Sequence, residues 1–86
     1  MKYLVEFWPK EPVEENTKKV YAIEAERRKK GEAFSDSEMY YLQAEPKVIM
    51  IVDTDPEKIT KWCKQYIAVM DYKTSPLIKR SDFDKL

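Results

Sequence analysis

The stretch K-V-I-M-I-V-D-T-D-P, residues 47 to 56, decides how this chain is read. Val48, Ile49, Met50, Ile51 and Val52 are apolar at every position, so a strand here wants cover on both faces. Asp55, Pro56 and Glu57 then make a good helix start. Just upstream, E-M-Y-Y-L-Q-A at 38 to 44 is rich in aromatic and apolar side chains and runs into the turn signal Glu45-Pro46. The two segments predict a hairpin, with strands over 38–44 and 47–53.

Downstream, Ile59, Trp62, Cys63, Tyr66, Val69 and Met70 recur at helical spacing, which predicts a helix over 56–70. Y-K-T-S-P-L-I at 72 to 78 can extend as a strand, and Pro76, which cannot donate to a ladder, assigns it to a sheet edge. A polar tail occupies 79–86. At the other end, K-Y-L-V-E-F-W at 2 to 8 alternates as a strand does and stops at Pro9. Pro12, Glu14 and Glu15 suit a helix start, and Val13, Thr17, Val20 and Ile23 share one face. The first helix is expected over 12–30, with Gly31 as a left-handed cap beyond it.

The resulting order, β-α-β-β-α-β, is the ferredoxin-like α+β arrangement, with a four-stranded antiparallel sheet whose first and third strands lie in the middle. Residues 1–86 are expected to form one such domain, since 86 residues hold a single core. Sixteen basic and 16 acidic residues leave no global charge to attract nucleic acid or an anionic membrane. No apolar run approaches the roughly 20 residues needed to cross a bilayer. Glu6 interrupts the opening M-K-Y-L-V-E-F-W where a signal peptide needs an unbroken apolar core, and Cys63 is the only cysteine, so a cytoplasmic protein is expected. Charged residues at 37 % with few amides and one glycine give a thermophile-like composition.

Two helices cover only one face of a four-stranded sheet. On the first strand Glu6 would be costly under the helices, which assigns Leu4, Glu6 and Trp8 to the open face. On the third strand Val48, Met50 and Val52 are expected there too, with Ile49 and Ile51 under the helices. Leaving Leu4, Trp8, Val48, Met50 and Val52 in water forgoes about 1.5 to 3 kcal/mol each, on the order of 10 kcal/mol together. A domain of this size has a total stability of only about 4 to 13 kcal/mol. A second copy meeting the first face to face in a two-fold dimer is the simplest cover.

An apolar open face on this element order resembles the dimeric α+β barrel superfamily, which contains cofactor-free monooxygenases and small isomerases. Over roughly residues 53–78 the chain is similar to a small uncharacterised prokaryotic family of that superfamily, a domain of unknown function. The shared pattern is D-T-D-P, Trp62 four residues before Tyr66, Val69-Met70, Asp71-Tyr72 and Pro76-Leu77-Ile78. V-E-F-W around Glu6 is a looser match. The resemblance implies a homodimeric barrel and carries no established activity.

The chemistry available is narrow. There is no histidine and no glycine-rich phosphate loop. The cluster Asp53, Thr54, Asp55 and Glu57 is assigned to helix capping rather than to a metal. Glu6 is the sharpest catalytic candidate, as a desolvated carboxylate inside a barrel, against a plain pairing with a lysine such as Lys73. Tyr40 and Tyr41 face opposite ways, so one of them looks to the open face. Cys63 reads as a small hydrophobe on the second helix. The run Arg27, Arg28, Lys29 and Lys30 complements the negative end of the first helix. K-V-I-M-I-V lacks the stacking aromatics of an RNA-recognition strand, and the acidic P-K-E-P-V-E-E does not suit a phosphate loop.

The expected role is therefore a non-catalytic module binding a small apolar or aromatic ligand, or another protein, between two sheets, at Leu4, Glu6, Trp8, Tyr41 and Met50. No cofactor, metal, nucleic acid or membrane is expected as a partner. A cofactor-independent monooxygenase- or isomerase-like enzyme using Glu6 and a tyrosine is the alternative.

Overall fold

The computed structural model describes residues 1–32 and 38–86. Strands β1 (Lys2–Pro9), β2 (Glu38–Leu42), β3 (Lys47–Asp53) and β4 (Met70–Pro76) form one antiparallel sheet in the order β2-β3-β1-β4. Helices α1 (Val13–Lys29) and α2 (Pro56–Tyr66) are the two crossovers, and a short α3 (Arg80–Phe83) follows β4. The fold is α+β with the element order the sequence predicts, followed by one extra helical turn. β1 and β3 are central, and Pro76 lies on the edge strand β4, opposite Tyr3.

The core lies between the sheet and the helices. Tyr3, Val5 and Phe7 of β1, Met50 and Val52 of β3, and Met70 of β4 meet Ile59, Trp62, Cys63 and Tyr66 of α2. Trp62 anchors this layer. Its ring meets Phe7 edge-on at 5.6 Å and Tyr66 at 4.7 Å, both within the range of favourable aromatic pairs. The stripe predicted for α2 is thus the buried one, and Asp55 caps the helix by accepting from the Lys58 N–H at 2.8 Å.

The second helix ends earlier than periodicity suggests. Its last residue is Tyr66, and Val69 and Met70, although buried, belong to the turn and to β4. The ladder decides this: Lys10 N–H donates to the Val69 carbonyl at 2.9 Å, and Met70 pairs with Pro9. A buried pair at the end of a helix fits either period, and the strand partner supplies bonds that another helical turn would lose.

In α1 the buried stripe is Asn16, Val20 and Arg27, with Ile23 half-buried, while the expected Val13 is 46 % exposed. Asn16 draws the stripe round because its side-chain amide donates to the Lys10 carbonyl at 2.9 Å. Gly31, at φ 69°, takes the left-handed position just past the helix end.

Candidate functional site: the open face of the sheet

Strand pairing determines which side chains share the bare face. Glu6 stands opposite Ile49 of β3 and Lys73 of β4, and Ile49 stands opposite Tyr40 of β2. The next row runs Glu38, Ile51, Leu4 and Ser75. By alternation Trp8, Leu42 and Lys47 belong to the same face. Leu4, Trp8, Leu42 and Ile49 are half-buried, and Ile51 and Tyr40 are 40 % and 50 % exposed. This side of the sheet therefore carries a contiguous apolar surface that neither α1 nor α2 covers.

At its centre is an ion pair. Lys47 Nζ donates to Glu6 Oε1 at 3.1 Å and lies 2.9 Å from a carboxylate oxygen of Glu45 in the hairpin turn. The same ammonium sits 5.6 Å from the centroid of the Trp8 ring, within cation–π range. Both side chains are sheltered, Glu6 at 20 % and Lys47 at 22 % exposure. The hydrogen bonds to Glu45 and to Glu6 raise the Lys47 pKa above the ordinary lysine range. The arrangement fixes a charged, oriented group among large apolar side chains, which can read the polar end of a small ligand or of a facing protein surface.

The expected site residues separate. Leu4, Glu6 and Trp8 lie together on the open face as predicted. Met50 does not: with Val52 it is fully buried under the helices, so the parity of β3 is the reverse of the expectation, and Ile49 and Ile51 take the open side. Val48, opposite Phe7, also faces the helix layer. Antiparallel pairing leaves no choice here, because Met50 is directly opposite Val5 and must share its face.

Tyr41 also departs from the expected site. It pairs with Val48 and so lies on the helix side of β2, 66 % exposed, whereas Tyr40 looks to the open face. The Tyr40 hydroxyl donates to Glu38, and that hydrogen bond to a carboxylate raises its pKa. Lys73 is opposite Glu6 in the ladder, yet the carboxylate takes Lys47 of β3 instead.

Leu42, Lys47, Ile49, Ile51 and Tyr40 are open-face residues that sequence reasoning missed, although the chain carried a signal for them. Lys47 and Asp53 bracket the apolar run and share the parity of Ile49 and Ile51, and Glu38 shares that of Tyr40. Charged residues at strand ends mark the solvent side, as Glu6 does from the interior of β1.

Asp53 accepts from the amino group of Met1 at 3.1 Å, and Asp55 is committed to its cap. Cys63 is buried, and burial pushes its thiol pKa up, away from the reactive thiolate. Among the described residues no helix is long and apolar enough to cross a membrane. No protein-family model and no curated protein matches the sequence.

Proposed function

We propose that this chain works as a homodimer of the α+β barrel type, two copies laying their open faces together, and that the space between the sheets binds a small apolar or aromatic ligand. The observation that carries the reading is the bare face itself: Leu4, Trp8, Leu42, Ile49, Ile51 and Tyr40 surround a sheltered Glu6–Lys47 pair. Completing the burial of these side chains, four of them already half-buried, contributes on the order of 1 kcal/mol each, a sizeable share of the stability of a domain this size. The resemblance of residues 53–78 to a family of the dimeric barrel superfamily supports the same assembly.

Binding rather than turnover is favoured because Glu6 already holds an ammonium partner. A general base at this position would have to release Lys47 before accepting a proton from substrate. The enzyme reading, a cofactor-independent monooxygenase or isomerase, rests on the same carboxylate lying beside Trp8.

Absolute mass by light scattering, over a hundredfold range of concentration, tests the assembly. A dimer is expected, and a monomer throughout would overturn it. The ligand is tested by following the Trp8 indole N–H in nuclear magnetic resonance spectra of the Trp62→Phe variant during titration with p-cresol. A saturable shift of that resonance is expected. No shift at millimolar p-cresol would count against an aromatic site between the sheets.

A further inference from the structure

The backbone leaves β4 in an orderly way. Leu77 prolongs the ladder by one bond, its N–H donating to the Lys2 carbonyl at 2.8 Å. It is therefore next to Lys2 and on the parity of Ser75 and Leu4, at the margin of the open face. α3 then forms, with Asp82 and Phe83 N–H groups on the Lys79 carbonyl and Asp84 on that of Arg80, and a last turn in which Leu86 bonds to Phe83.

Every residue from 77 to 86 is exposed. Four of them are large and apolar: Leu77 at 41 %, Ile78 at 59 %, Phe83 at 61 % and Leu86 at 92 %. Phe83 ends α3, and the Leu86 N–H bonds to its carbonyl at 3.0 Å, so one closed turn joins the two residues. Helical structure this short is not self-sustaining, since isolated helices below about 12 residues are marginal in water. Neither the core nor α1 or α2 buries any of these side chains.

The size of the open face says what they meet. In projection, four strands about 4.8 Å apart and about seven residues long span roughly 450 Å², and with Leu4, Trp8, Leu42 and Ile49 already half-buried the accessible area left to cover stays of that order. A stable interface takes about 800 Å² from each partner. The sheet alone falls short, and Phe83, 61 % exposed, can by itself bury about 90 to 150 Å² more.

We propose that residues 77–86 are a docking arm that crosses to the second copy and packs Phe83 and Leu86 against it, completing the interface begun by the open sheet. The inference rests on the dimer proposed above. Its occupant is a second copy of this chain, because the arm departs from the margin of the same face and supplies the missing area. A partner of other chemistry would leave the sheet-to-sheet dimer indifferent to the arm.

The test compares three full-length proteins by light scattering and dilution: the unaltered chain, the Phe83→Ser/Leu86→Ser double variant, and Ile51→Asp on the sheet face. Far-ultraviolet circular dichroism checks that each is folded. The unaltered chain should be a dimer, the arm variant should dissociate at a concentration at least about thirtyfold higher, and Ile51→Asp should be monomeric. An arm variant that dissociates like the unaltered dimer would overturn the arm and leave the dimer standing. An unaltered chain that is monomeric at every concentration would overturn both. A photoreactive benzophenone side chain in place of Phe83 gives a readout independent of stability: covalent dimer on irradiation is expected, and cross-links confined to single chains in a dimeric sample would overturn the proposal.

Discussion

Glu6 and Lys47 stand 41 residues apart in sequence and meet at 3.1 Å on the face that neither α1 nor α2 covers. Lys47 also reaches Glu45 and the Trp8 ring, so one ammonium ties the β2–β3 turn to the central strand β1. Glu6→Gln and Lys47→Met should therefore not be additive in urea unfolding. Their coupling should shrink in about 1 M salt, where the screening length falls to about 3 Å. Additive effects at low salt would show that the pair contributes nothing.

Met50 and Ile51 are neighbours on β3 with opposite fates, 0 % and 40 % exposed. Met50→Ala should cost about 2 to 5 kcal/mol by deleting a fully buried side chain. Ile51→Ala, measured in dilute solution, should cost well under half of that. Denaturant midpoints decide the matter, and a larger loss at Ile51 would reverse the strand parity described here.

The cap of α2 is a single side chain. Asp55→Ala removes the acceptor for Lys58 N–H and should cost about 1 kcal/mol, within the range of about 0.5 to 2 for such caps. An unchanged thermal midpoint would mean that Pro56 alone sets the helix start.

Stability should fall as the solution is made alkaline. Burial raises the pKa of the Cys63 thiol and of the Tyr66 phenol, and hydrogen bonds to Glu45 and then Glu6 raise that of Lys47. In each case the unfolded chain loses its proton at lower pH than the folded one, so the stabilisation is complete below the unfolded pKa and is lost as pH rises through the folded value. The earliest loss begins near about 8.5, the ordinary thiol range, and the others near about 10. Cys63→Ala should move the onset from the first to the second in a pH series of urea melts. An onset that stays near 8.5 in the variant would assign it to another group.

How far these features were legible before the structure depends on the kind of signal each left. Alternation on β1, with Glu6 as its one charged interior residue, was enough to place Leu4 and Trp8 correctly. A run that is apolar throughout has no such marker, and the parity of β3 is settled only by its partner, where Val5 faces Met50. The choice between Tyr40 and Tyr41 is likewise a matter of register. The predicted boundary of α2 overran because Val69 and Met70 suit a helix stripe as well as a strand entry. Phe83 and Leu86 were hidden in a segment that reads as polar by composition, yet its backbone closes into a turn.

The attachment of α1 has its own consequence. The helix offers the core one buried aliphatic side chain, Val20, backed by the half-buried Ile23. Side-chain bonds to the backbone hold it near both ends: Asn16 on the Lys10 carbonyl, and Arg27 on the Glu32 carbonyl at 2.7 Å, with the guanidinium also over the Tyr66 ring at 5.9 Å. α2, by contrast, buries Ile59, Trp62, Cys63 and Tyr66. Opening thus has a built-in sequence, because freeing α1 exposes little apolar surface whereas freeing α2 dismantles the core. In native-state deuterium labelling the α1 amides should exchange ahead of those in α2 and the central strands, leaving a smaller cooperative unit of sheet and α2 that is protected to the limit of global unfolding.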